Sequence, residues 1–203
     1  MKEINLVGSF GLFPTLMQIY DLSEHAQYNK VIDYCNKTQT STHSIMKDSG
    51  STYDESMGNN WLDNPIIKDF RQQIQDCVDH YSSVYKLKHS IIKNSWMNRV
   101  GKGGSVRLHR HEGSVISGAF YPIADEGSCP LIFKSPVSMY RMSEILVEED
   151  LYNCYNQEVP CTQGQLILFP SWLEHYTNDN YHLKFHHQDA SIPFSLKLKT
   201  LYQ

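Results

Sequence analysis

A chain of 203 residues with 40% hydrophobic and 20% charged positions is long enough to bury one sizeable core, and its balance excludes disorder as the default. The formal net charge is −4 and Lys and Arg are scattered as singles, so the footprint of a nucleic-acid binder is absent and nucleic acid is not an expected partner. No run approaches the ~18 apolar residues of a membrane span and no signal-peptide apolar region follows Met1; the five cysteines are odd in number and lack zinc-motif spacing. The expectation is a cytoplasmic protein with free thiols and no membrane contact.

In chain order, residues 1–20 mix apolar and turn residues and suggest a strand leading into a helix. Ser23 followed by residues 24–37, with Val31, Ile32 and Tyr34 as the apolar positions, has helix-start chemistry. Residues 38–60 are rich in Ser, Thr, Gly, Asn and Asp without periodicity, which reads as a long loop able to cover a pocket. Asn64-Pro65 is a helix start, and Ile66, Ile67, Phe70, Ile74, Val78 and Tyr81 form an apolar stripe suited to packing on a sheet. After about residue 90 the texture becomes short apolar or alternating runs, and strands are predicted over 91–100, 105–111, 115–123, 131–135, 165–169 and 192–198. A helical insertion is predicted over 138–156. Helices followed by strands point to one α+β domain over 1–203, in which a helical support region, 1–90, backs a β-sandwich or jelly-roll core, 91–203.

The chemistry gathers on three histidines. Residues i and i+2 of an extended strand project to one face, so His109 and His111 can aim two imidazoles at one point. His175 follows Phe169-Pro170-Ser171-Trp172-Leu173-Glu174 and supplies a third. A mononuclear non-haem iron site needs one face of three protein ligands, commonly two His and a carboxylate, with the other positions open. Here His111 stands where the carboxylate is expected, and Glu112, three positions after His109, falls on the opposite face. Pro170-Ser171-Trp172 reads as a turn that positions His175. Ser117 and Gly118 would let a barrel wall pass close to the metal. His182, His186 and His187 lack an acid or Cys at matching spacing and read as surface residues or supports of the ligands.

Ser95-Trp96-Met97-Asn98, Gly103-Gly104, His109-Arg110-His111, Ser117-Gly118-Ala119-Phe120-Tyr121, Leu131-Ile132-Phe133 and Phe169 to His175 occur in this order. Over about residues 60–180 that run resembles the iron(II)/2-oxoglutarate oxygenase family of bacteria and phages. The resemblance implies a double-stranded β-helix, a cupin-like jelly-roll barrel, holding Fe(II) and binding 2-oxoglutarate as cosubstrate. It also implies oxidation of an organic substrate with release of succinate and CO2. His109 matches the first metal ligand and His175 the distal one, with His111 at the carboxylate position. Asn98 precedes His109 at a spacing similar to the DNA-dealkylating branch of the superfamily, which makes it a candidate partner of the cosubstrate, and Tyr121 could add a hydroxyl.

The family places an Arg downstream of the distal His to hold the far carboxylate of 2-oxoglutarate. In the nearest register that position is Asp189; another register offers Lys184, and Arg107, Lys134 and Arg141 are further cations. Three functions therefore stand side by side: a 2-oxoglutarate-dependent oxygenase, a three-His dioxygenase that binds its substrate directly to iron, and a barrel that has lost catalysis and serves as a binding module. A small-molecule or peptide substrate fits the first two. The sequence specifies neither the substrate nor the oligomeric state.

Overall fold

The structure, a computed structural model, describes residues 14–54, 60–124, 128–138, 148, 153–180 and 194–202. Among the described residues two α-helices, α1 (Tyr28–Lys37) and α2 (Lys68–Tyr85), accompany nine strands. These are β1 (Gln18–Asp21), β2 (Met46–Ser51), β3 (Ser90–Val106), β4 (Ile116–Ile123), β5 (Leu131–Lys134), β6 (Asn156–Val159), β7 (Gln165–Pro170), β8 (His175–Tyr176) and β9 (Phe194–Tyr202). Six of them form one sheet in the order β1-β7-β4-β9-β3-β2, and three form a second in the order β6-β5-β8. All pairings are antiparallel. The described residues thus give two sheets in a double-stranded β-helix arrangement and not a closed barrel.

The helices cover one face of the larger sheet. In α2 the stripe of Phe70, Ile74, Val78 and Tyr81 is at most 1% exposed, and it packs with Val31 and Cys35 of α1 against Phe120, Leu166 and Leu168 of β4 and β7. Ile66, expected in that stripe, lies outside the helix and is exposed. Truncating a fully buried aromatic such as Phe70 to Ala would cost about 3–5 kcal/mol. Polar side chains fix the layer's position: Gln75 donates to the Ser90 carbonyl and accepts from the Ile92 amide, and Gln27 accepts from the Phe70 amide. The Asn64 side chain accepts from the Ile66 amide, as the Asn-Pro start predicts, although the first turn is 3-10 and the α-helix begins at Lys68.

The opposite face of the larger sheet meets the smaller sheet. Ala119 and Tyr121 of β4 and Ile167 and Phe169 of β7 pack against Leu131 and Phe133 of β5 and Val159 of β6. Backbone register joins β4 to both its neighbours: Ala119 pairs with Ile167 and Lys197, and Ser117 with Phe169 and Lys199.

Several expectations are corrected. The helix placed at 24–37 begins at Tyr28, because the Ser23 amide is bound by the Asp21 carboxylate and Ser23 caps nothing. The segment 38–60 is not a continuous loop: β2 pairs with β3 over most of its length, its polar residues being tolerable on an edge strand. Residues 1–90 therefore supply β1 and β2, the two edges of the main sheet, besides the helices. The strands read as 91–100 and 105–111 are one strand, β3, that ends at Val106 and passes through Gly103 at φ +73°, a conformation glycine adopts without strain. Gly104 is equally constrained, since a Cβ there would lie 2.8 Å from the Gly101 carbonyl oxygen. Of the insertion at 138–156, Asn156 already belongs to β6; residues 139–147 and 149–152 lie outside the described set, as do 1–13.

Candidate metal centre

His109, His111 and His175 converge. One ring nitrogen of each lies within 4.8 Å of the others, and the ring centroids are 4.3 Å apart for His109 and His175, 5.0 Å for His109 and His111, and 5.1 Å for His111 and His175. The expected continuous strand does not hold the first two. Beyond Val106 the chain leaves the large sheet and runs beside β8, where His109 forms an isolated bridge to His175. Thr177 donates its amide to the Val106 carbonyl, and the His111 amide reaches the Ser171 carbonyl at 3.0 Å. The i, i+2 geometry survives locally because backbone bonds at both histidines keep the segment extended.

Tautomer is set by the backbone. Nδ1 of His109 lies 2.8 Å from the Arg107 carbonyl and Nδ1 of His175 lies 2.9 Å from the Leu173 carbonyl, so in neutral imidazoles Nδ1–H donates and Nε2 is left as the electron-pair donor. His175 is 1% exposed and packs against Phe169 and Phe133, and His111 meets the edge of Trp96. Three neutral nitrogens, two of them oriented by carbonyls, fit a borderline divalent cation such as Fe(II). Glu112 is exposed and pairs with Arg110, away from this cluster, in agreement with its expected opposite face.

A cleft of about 270 Å³ opens onto His109 and His111. Its other walls include Ile45, Met46, Ser51, Tyr53, Trp96 and Asn98. Asn98 is 5% exposed, and its side-chain oxygen accepts from Ser51 Oγ at 2.7 Å. Tyr53 stands edge-on to both Trp96 and His43, so aromatic rings continue from the cleft rim to the imidazoles. Ser51, Tyr53 and His43 were hidden in the segment read as loop, where nothing in composition marks them. Trp172 is half exposed on the turn before His175, and Ser171 behind it is buried and bonded to the Ser117 hydroxyl, consistent with a positioning turn.

Tyr121 lies buried inside the sandwich, four residues along β4 from Ser117. Burial, reinforced by neighbouring Cys161, pushes its phenol well above the ordinary range, so it stays protonated and can donate a hydrogen bond. Among the cations considered from sequence, Lys134 pairs with Glu174 on the exterior and Arg107 is exposed. Lys184 and Arg141 lie outside the described residues, with Asp189, His182, His186 and His187.

Residues 94–194 match the family described as "Putative 2OG-Fe(II) oxygenase", and the chain belongs to this family of Fe(II)- and 2-oxoglutarate-dependent oxygenases. Among solved structures, a prolyl-4-hydroxylase from Pseudomonas putida is similar at TM-score 0.59 and 10% identity, over 93% of this chain and 94% of that one. HygX from Streptomyces hygroscopicus, with nickel, 2-oxoglutarate and hygromycin B bound, is similar at TM-score 0.60 and 9% identity, over 93% of this chain and 84% of that one. The viral collagen prolyl hydroxylase of Paramecium bursaria Chlorella virus-1, a 2-oxoglutarate complex, is similar at TM-score 0.56 and 8% identity, over 92% and 96%. At these identities the structures establish a shared fold. No curated protein matches the sequence significantly. Among the described residues no helix is long and apolar enough to cross a membrane.

Proposed function

We propose that His109, His111 and His175 hold the Fe(II) through their Nε2 atoms, and that 2-oxoglutarate lies between the two sheets with its far carboxylate turned away from the histidines. The observation that carries this reading is the convergence of three imidazoles, two with Nδ1 fixed by backbone carbonyls. When bound, iron supplies O2 activation coupled to decarboxylation of 2-oxoglutarate to succinate and CO2, one oxygen atom passing to the substrate. The three-His set contributes no negative charge, so the dianionic cosubstrate itself balances the metal.

For the cation at the far carboxylate the sequence offers Lys184, nine residues after His175, with the Tyr121 hydroxyl as second donor. Asn98, tied to Ser51, borders the cleft from β3.

The protein's residues bind, orient and exclude water. Phe133 and Phe169 keep the His175 side dry, and the cleft beside His109 and His111 admits the substrate. Its walls carry apolar and aromatic groups together with the Ser51–Asn98 pair, His43, Ser44 and Arg110, which suits a small molecule or a peptide side chain. The known binding of hygromycin B by HygX and the prolyl hydroxylases among the similar folds agree with that range. The N-terminal helices act as support for the sheet, the whole chain working as one domain.

Anaerobic titration with Fe(II), then with 2-oxoglutarate, tests the assignment. A saturable visible charge-transfer band at one iron per chain is expected. Iron binding without that band would place the protein among metal enzymes that bind substrate directly, and no iron binding would remove the three histidines from a metal site.

A further inference from the structure

The ladder between β5 and β6 ends at Leu131 opposite Val159. The next residues in that register are Pro130 and Pro160, neither of which has an amide hydrogen to donate, so pairing stops there. One step further, Cys129 stands opposite Cys161. The two remain in contact, since the Cys161 thiol donates to the Cys129 carbonyl at 3.0 Å. Cys161 is also hydrogen-bonded to the Tyr121 hydroxyl. Both cysteines are partly exposed, so an oxidant can reach them. The other thiols are elsewhere: Cys35 and Cys77 are buried in the helical layer, and Cys154 precedes β6 at its opposite end.

We propose that Cys129 and Cys161 form a reversible disulfide, an oxidative modification site at the open end of the smaller sheet. The 3.0 Å contact of the Cys161 thiol with the Cys129 carbonyl already brings the two residues together, and a disulfide needs their Cα atoms within about 7 Å. With hydrogen peroxide as oxidant, one thiolate attacks a peroxide oxygen, the O–O bond breaks, and a sulfenic acid and water form. The second thiol then displaces water from that sulfur, so two thiols and one peroxide give one disulfide and two waters. The ends of β5 and β6 can adjust because no ladder hydrogen bond crosses the two prolines.

The test treats the iron-loaded full chain, without oxygen, with diamide, which accepts the same two electrons and two protons at its azo bond. Loss of two of the five thiols, a mass lower by two hydrogens, and one cross-linked peptide joining Cys129 to Cys161, all reversed by dithiothreitol, are expected. C129S and C161S should each prevent the change. Retention of all five thiols, or cross-linking through Cys154, overturns the site.

Discussion

His109 and His175 hold each other in place through the backbone: the His109 amide donates to the His175 carbonyl at 3.0 Å and the His175 amide returns a bond to the His109 carbonyl at 2.9 Å. Two ligands separated widely in sequence are thus one closed pair of hydrogen bonds, and neither imidazole depends on a rotamer alone. His175→Ala leaves those backbone bonds intact and should abolish tight iron binding, read as iron per chain by elemental analysis. Because its ring packs on Phe169, the variant should also lose about 1–3 kcal/mol of stability while remaining folded. Iron content equal to the parent's would dismiss the site.

His111→Asp restores the commoner donor set. Its amide is anchored on the Ser171 carbonyl, so the shorter side chain starts from the same backbone position. Iron should be kept or bound more tightly, and the charge-transfer band should shift because a carboxylate replaces a neutral ligand. Complete loss of metal in that variant would mean that three imidazoles are obligatory.

Lys184→Ala should weaken 2-oxoglutarate binding by about 10- to 100-fold, the worth of a charge-assisted hydrogen bond, with iron content unchanged. Equal affinity in Lys184→Ala and the parent would remove Lys184 from the site.

Asn98→Ala removes the acceptor of the Ser51 hydroxyl and should raise the dissociation constant of 2-oxoglutarate roughly 3- to 10-fold. Ser51→Ala, which only frees the Asn98 oxygen, should have the smaller effect. Were Asn98→Ala to leave 2-oxoglutarate untouched and alter turnover of a substrate instead, Asn98 would belong to the cleft alone.

Cys35 gives the fold an alkaline limit. Burial lifts its thiol from 9.0 to about 12. A group whose folded value is raised adds stability that is complete below the unfolded value and declines as pH climbs toward the folded one. Stability should therefore fall between about pH 9 and 12, and a Cys35→Ala variant should show a shallower fall in that window by denaturant melts. A fall of unchanged steepness would assign the alkaline limit to other groups.

What the sequence made legible follows periodicity and motif. The α2 stripe, the strand cores at Ile116 to Ile123 and Gln165 to Pro170, and the histidine triad each carry their signal in neighbouring residues. β2 was not legible because its residues, Met46-Lys47-Asp48-Ser49-Gly50-Ser51, have no alternation; they are strand only because β3 offers them partners. Ser51 and Tyr53 reach the cleft through that pairing.

In the six-stranded sheet, β9 lies between β4 and β3 and joins β1-β7-β4 to β3-β2. Among the described residues it also follows every other strand in the sequence, so during synthesis β4 and β3 wait with an edge exposed until β9 emerges. Such late, long-range closure is slow and leaves β4 and β3 open to wrong partners meanwhile. The three histidines emerge before β9, so the sheet behind them becomes continuous only after the cluster itself has been synthesised.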